Sequence, residues 1–161
     1  MSRDMPAEGA RPEAGTDVCV RVTLLEHAVG APSYRTEHAA GMDLKAAIED
    51  SLELEPGRVA AVPTGIRVEI PPGYEGQVRA RSGLAMKHAI GLPNAPGTID
   101  ADYRGEVLVL LLNWGPEPYT IRRGDRIAQL VLAPVARAQI EIADELTATT
   151  RGEGGFGHTG R

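Results

Sequence analysis

At 161 residues the chain has the length of one domain, long enough to bury about two-thirds of its unfolded surface. Its 22 Asp and Glu against 17 Lys and Arg leave a formal net charge of -5, which argues against a general nucleic-acid binder, and only 4% of its residues are aromatic, so basic–aromatic stacking surfaces are missing too. The lone Cys19 excludes an intrachain disulfide or a cysteine-built zinc site, and no apolar run approaches the ~20 residues of a membrane span.

Residues 1–17 are rich in Pro, Gly, Ala and Glu without periodicity and read as a disordered extension. Residues 1–16 lack the apolar stretch of a signal peptide, and Asp4, Glu8 and Glu13 do not suit a transit peptide, so the expected compartment is the reducing cytoplasm, with no membrane partner. From Val18 the chain becomes short β-prone runs: Val18–Leu25, Asp43–Ala47, Leu52–Leu54, Arg58–Ile70, Tyr74–Arg81, Glu106–Trp114, Tyr119–Ile121, Arg126–Val135 and Ala138–Ile142. Breakers such as Pro56-Gly57, Pro71-Pro72-Gly73, Gly115-Pro116 and Arg123-Gly124-Asp125 separate them. This punctuation predicts an all-β sandwich, jelly roll or barrel over 18–143, with one helical turn or two around Ser82–His88. Val107–Leu112 is apolar at every position, so both of its faces are expected to be buried, inside the chain or at a subunit interface.

After about Ala143 the order signal fades into a glycine-rich segment, 144–161. On composition it is a flexible tail. Yet it carries Arg151, Phe156, His158 and Thr159 among glycines, and such a backbone can also fold around phosphates while one ring stacks on a base.

Five segments carry chemistry. Ala40-Gly41-Met42-Asp43-Leu44 opens a strand with a carboxylate beside a glycine, which reads as a turn Asp or as a ligand group. Arg81-Ser82-Gly83-Leu84-Ala85 enters the helical stretch, where Ser82 is either an ordinary N-cap or, with Arg81, a phosphate donor. Gly91-Leu92-Pro93-Asn94-Ala95-Pro96-Gly97 is a turn-rich bend whose free backbone groups can read a base edge. It leads into Gly97-Thr98-Ile99-Asp100-Ala101-Asp102-Tyr103-Arg104-Gly105-Glu106, which presents acid, aromatic face and cation together, or else is a solvated turn. Arg123-Gly124-Asp125-Arg126-Ile127-Ala128-Gln129-Leu130 starts a late strand with Gln129 placed to reach a ligand or a core partner.

In that order, the segments at 40–44, 81–85, 97–106 and 123–130, with Arg151-Gly152-Glu153-Gly154-Gly155-Phe156-Gly157-His158-Thr159-Gly160 behind them, resemble the five motifs of the homotrimeric deoxyuridine triphosphatase family, and the resemblance runs from about Val18 to the C-terminus. The resemblance implies a jelly-roll-like fold, a three-fold trimer with shared active sites, a magnesium ion, and cleavage of dUTP to dUMP and pyrophosphate. Carried over by residue, Asp100 orients and deprotonates the attacking water, with Gln129 at the α-phosphate or the water. Arg81, Ser82 and Gly83 bind phosphates, and Asp43 helps hold the hydrated magnesium. Tyr103 packs on the deoxyribose, while the hairpin of Asn94 with Gly97, Thr98 and Ile99 binds the uracil. Phe156 stacks on the base as segment 144–161 closes over a neighbouring site, with Arg151, Gly157, His158 and Thr159 at the γ-phosphate.

His158 stands where the family more often has Ser; neutral, it is the poorer phosphate donor, and protonated it donates a charge-assisted bond. Asp102, two residues beyond Asp100 in a segment read as extended, is expected to face the other way. Two other readings differ in class. A dCTP deaminase on the related fold usually carries Pro-Gly-Phe where this chain has Ala101-Asp102-Tyr103 and lacks the glycine–phenylalanine tail, and a nucleotide-sensing module has no need of Asp100.

Overall fold

The computed structural model describes residues 17–155; the expectations for 1–16 and for Phe156, Gly157, His158 and Thr159 lie outside them. Among the described residues the chain forms β1 (Arg21–Leu24), β2 (Met42–Lys45), β3 (Leu52–Leu54), β4 (Val59–Glu69), β5 (Tyr74–Ala80), α1 (Ser82–His88), β6 (Ile90–Gly91), β7 (Gly97–Ile99), β8 (Glu106–Asn113), β9 (Tyr119–Ile121) and β10 (Arg126–Pro134). Every pairing is antiparallel, in two four-stranded sheets of order β1-β4-β8-β6 and β2-β10-β5-β7 and a small β3-β9 ribbon. This is the jelly-roll-like all-β architecture expected, with its one short helix.

Alternation drives the packing. Val107, Val109 and Leu111 of β8 point into a core shared with Leu44, Val62, Ile66, Ile121, Ile127 and Leu130. Aliphatic side chains dominate this core, and truncating one of them to Ala costs about 2–5 kcal/mol. The buried Asn113 closes the end of β8: its Nδ2 donates to the carbonyls of Leu54 (2.9 Å) and Glu117 (2.8 Å), and its Oδ1 accepts from Gly115 N (2.8 Å). A buried amide so fully paired carries no desolvation penalty and fixes the following turn. The His88 ring tilts against Tyr119 at 4.9 Å, tying the end of α1 to β9.

Three sequence expectations change. Within its own chain the all-apolar stretch of β8 is buried on one face only, which overturns the reading of a strand covered inside the chain and leaves the subunit-interface reading; Leu108 is 49% exposed, and Leu110 and Leu112 are half-buried. Across the pair, Leu110 faces Ala61 and Leu112 faces Val59, which is itself 53% exposed, so an apolar strip runs over the outside of the sheet. Second, 138–142 is no strand: it is exposed, with Ile140 82% and Ile142 96% accessible, because no strand of its own chain pairs with it. Third, the bend at 91–97, read as a hairpin, joins two short strands that do not pair with each other: β6 pairs with β8 and β7 with β5. A strand of two or three residues broken by Gly and Pro gives too short a pattern to detect.

Candidate active site

On β2, Asp43 is buried, its side chain 2% exposed, opposite Gln129 of β10, which in turn lies opposite Arg79 of β5. Arg126 Nη1 donates to Asp43 Oδ2 at 2.9 Å, Gln129 Nε2 donates to Oδ1 at 3.4 Å, and the Nε atoms of Arg81 and Arg35 stand 3.6 Å and 3.7 Å from the same carboxylate. Arg81 is braced by a 2.9 Å bond from Nη1 to the Arg126 carbonyl. Burial alone would raise the pKa of Asp43, but the hydrogen bonds from Arg126 and Gln129 and the charges of Arg81 and Arg126 outweigh it and hold the carboxyl below its ordinary value.

Arg126 and Gln129 are three residues apart, a spacing that puts side chains on opposite faces of a regular strand. A β-bulge between Arg126 and Ala128 shifts the register, with Arg126 opposite Lys45 and Ala128 opposite Leu44, and returns both groups to the face of Asp43. Gly41 clears the space for Gln129, since a Cβ there would lie 3.0 Å from the Gln129 Cβ. At the start of α1 the N-cap is Arg81, with no side-chain capping bond. Ser82 is therefore the first helical residue, not the cap, and Ser82 and Gly83 are exposed beside Arg81.

The second group sits on the opposite edge. β7 pairs only with β5, placing Gly97 against Val78 and Ile99 against Gly76. Gly97 and Ile99 are buried, Thr98 is exposed, and the bend before them is tight enough that a Cβ on Gly97 would lie 3.1 Å from Asn94 Nδ2. The Ala95–Pro96 peptide in it is cis.

Asp100 to Tyr103 is a turn, closed by Tyr103 N donating to the Asp100 carbonyl at 3.1 Å. The segment is not extended, so strand alternation does not set the direction of Asp102: both acids are exposed and border an open groove of about 560 Å³ with Tyr74, Glu75, Val135 and Arg137, and Asp102 borders a second groove with Arg21 and Arg104 as well. Arg104 Nη1 donates to the carbonyls of Ala101 (2.7 Å) and Tyr103 (2.8 Å), fastening the turn from within.

Tyr103 folds back over its own turn. Its hydroxyl donates to the Glu106 carbonyl at 2.9 Å, and its ring lies so close over Gly105 that a Cβ there would collide with it. The Glu106 side chain is anchored in turn: Oε1 accepts from Gly65 N and contacts His27 Nε2, both at 2.8 Å. Gly65 occupies a register shift of β4 against β8 with φ +70°, and any side chain there would strike the Ala28 backbone. Sequence reading passed over His27, Arg35 and the anchoring role of Glu106. Only Glu106 stood in a quoted motif; the other two lie in a loop with no periodic signal.

The structure thus brings Asp43, Arg81 and Gln129 together, with Ser82 and Gly83 beside Arg81, and keeps Asn94, Asp100 and Tyr103 apart from them. The sheet order puts β2 and β7 three strand spacings apart, roughly 14 Å at ~4.8 Å per spacing. Arg151 lies in an exposed turn of its own, where Nε donates to the Gly154 carbonyl at 2.7 Å.

Among the described residues no group of three or more His, Cys, Asp or Glu could hold a metal ion. The one buried acid of the first group is enclosed by guanidinium groups. This donor set fits a magnesium ion only if the ion takes most of its oxygens from a phosphate ligand and water, with a carboxylate touching its hydration shell.

The dUTPase family profile matches residues 27–160. A deoxyuridine 5'-triphosphate nucleotidohydrolase of Anaeromyxobacter sp. (strain Fw109-5) is 58% identical over 130 residues, covering 81% of this chain and 87% of that protein. The dUTPase of Staphylococcus bacteriophage 80alpha, solved with dUPNHPP, superposes with a TM-score of 0.81 at 28% identity, over 89% of this chain and 99% of that one. A mutant dUTPase from phage phi11 of S. aureus, described with a structural Mg(II) ion, gives a TM-score of 0.71 at 28% identity over 79% and 97% of the two chains.

Proposed function

The chain belongs to the dUTPase family, and from that premise we propose how it hydrolyses dUTP to dUMP and pyrophosphate: at sites that neighbouring copies of the chain build together. The observation that carries this reading is the register of β5 and β7: Asp100 follows Ile99, which pairs with Gly76 near the start of β5, whereas Arg81 follows the far end of β5, roughly 17 Å away at ~3.3 Å per residue. A phosphate held at Arg81 is then out of reach of a water held by Asp100 of the same chain. The outer apolar strip of Leu108, Leu110, Leu112, Val59 and Ala61 supports a homotrimer, because a second copy would cover it.

In this arrangement Arg81, Ser82 and Gly83 of one chain bind the phosphates, and Gln129 reaches the α-phosphate or the water. Asn94 with Gly97, Thr98 and Ile99 of another chain reads the uracil edge through the backbone, and a tight wall rejects the thymine methyl. The ring of Tyr103 occupies the space a 2′-hydroxyl would need. Asp100, exposed at the head of its turn, holds the attacking water in line with the α-phosphorus and takes its proton. A magnesium ion bound with the triphosphate would supply charge neutralisation, and Asp43 would help hold it through water. Phe156 stacks on the base, and Arg151, Gly157, His158 and Thr159 close on the γ-phosphate.

The product dUMP is the precursor for thymidylate synthesis, and removing dUTP limits uracil in DNA. The cytoplasm is the proposed compartment. No helix among the described residues is long and apolar enough to cross a membrane.

Two assays test the reading. Pyrophosphate release is measured with dUTP, dCTP, dTTP and UTP, each with magnesium and with EDTA; release from dUTP alone, lowered by EDTA, is expected, and ammonia from dCTP would move the chain to the deaminases. Chains carrying Asp100→Asn are then mixed and reassembled with chains carrying Arg81→Ala. Mixed assemblies contain some sites with neither defect if the two residues come from different chains, so activity reappears. No recovery would place both residues in one chain's site.

A further inference from the structure

Three guanidinium groups, those of Arg35, Arg81 and Arg126, converge on the single carboxylate of Asp43. Among the described residues one anion meets three cations there, which leaves two positive charges uncompensated in a small, partly water-excluded space. The three arginines are not equivalent. Arg126 makes the 2.9 Å bond to Asp43, and Arg81 is braced on the Arg126 carbonyl at 2.9 Å, with side chains 40% and 23% exposed. Arg35 only approaches Asp43, at 3.7 Å through Nε, and its side chain is 59% exposed. An exposed pair at that distance contributes little to stability, and the Asp43 oxygens are already served by Arg126 and Gln129.

Arg35 is nevertheless delivered to this place by the backbone. An isolated antiparallel bridge joins Ser33 to Asp43, with Asp43 N donating to the Ser33 carbonyl at 3.0 Å, so Arg35 stands two residues from the bridge on the loop that closes over β2. The loop fixes a cation next to a carboxylate that does not need it.

We propose that Arg35 is a further substrate-binding residue, whose guanidinium takes a distal phosphate of the triphosphate beside Arg81. This rests on the dUTPase reading above. Being the outermost of the three, Arg35 meets the part of the ligand farthest from the buried carboxylate, and a doubly charged terminal phosphate supplies the missing anion. The guanidinium fork suits bidentate bonding to phosphate oxygens, which an ammonium at the same place would not reproduce.

The test uses full-length protein as wild type, Arg35→Ala and Arg35→Lys. Calorimetry gives the affinities for dUMP and for the non-hydrolysable α,β-imido analogue of dUTP, steady-state kinetics gives kcat and KM for dUTP, and thermal melting reports the fold. Arg35→Ala is expected to weaken the triphosphate analogue about 10-fold, the scale of one lost charge-assisted hydrogen bond, with dUMP affinity and Tm unchanged. KM should rise more than kcat falls, and Arg35→Lys should recover only part of the loss. Unchanged analogue affinity in Arg35→Ala, or equal losses for dUMP and analogue with a lowered Tm, overturns the assignment while leaving dUTP hydrolysis standing. A wild-type protein that does not turn over dUTP overturns the functional reading first, and this inference with it.

Discussion

Asp43 and Asp100 are carboxylates on opposite edges of the same four-stranded sheet, and their surroundings could hardly differ more. Asp43 is buried, opposed by arginines and held ionised against the cost of its burial. Asp100 stands exposed at the head of a turn, beside an open groove, with only its backbone carbonyl engaged among the described residues, by Tyr103 N. A buried carboxylate paired with guanidinium groups works mainly by holding cations in place. An accessible one can bind a water and accept its proton. Environment, more than residue type, divides the labour between two identical functional groups.

The largest effect should come from Asp100→Asn. Turnover of dUTP is expected to fall by about 10²–10⁴, the usual worth of a positioned general base, while calorimetry shows the triphosphate analogue still bound. Loss of binding instead would mean that Asp100 serves the fold or the ligand and not the water.

Asp43→Ala probes the other side of the contrast, through stability. It leaves clustered cations without their buried partner, and removing one member of such a group costs about 3–5 kcal/mol, read as a lowered Tm. The same contrast has a pH signature. Because the folded-state pKa of Asp43 lies below its unfolded value, its stabilisation is fully present above the unfolded carboxyl pKa of about 4 and is lost as pH falls through the lower folded value. Acid unfolding followed by circular dichroism should therefore be less steep below about pH 4 in Asp43→Asn than in the wild type. Equal acid profiles would dissolve the distinction between the two carboxylates.

Deleting residues 151–161 should cut turnover by about 10²-fold, the scale of a lost positioning element, with Tm unchanged because, among the described residues, the 151–155 turn bonds only within itself and to Thr149. Near-full activity in the truncated chain would remove the tail from the site. The smallest effect is the most specific. Gly105→Ala puts a methyl against the Tyr103 ring, and the ratio of kcat/KM for dUTP over UTP should drop by about tenfold, the low end of what loss of steric discrimination produces.

Much of this was legible in the sequence because it is carried by short contiguous patterns. Arg81-Ser82-Gly83 before a helix, Asp100 through Tyr103 between glycines, and the alternation of the long strands each announce themselves locally. What stayed hidden depends on contacts between distant segments or on breaks in periodicity. Arg126 and Gln129 share a face only through a bulge that no spacing rule foretells. Arg35 meets Asp43 because a loop closes on the Ser33–Asp43 bridge. His27 meets Glu106 from 79 residues away. Alternation also misled twice: it read Asp100–Asp102 as extended where a turn is closed by Tyr103 N, and it read a strand at 138–142 where the chain offers no partner.

The separation of Arg81 from Asp100 along β5 has a genetic consequence. If each site draws Arg81 from one chain and Asp100 from the next, a chain with both residues altered damages two of the three sites of any trimer it enters, whereas a chain with one altered damages a single site. Co-expressed with the normal protein in equal amounts, the doubly altered chain would therefore be the stronger poison, and its dominance would scale with how often copies exchange between assemblies.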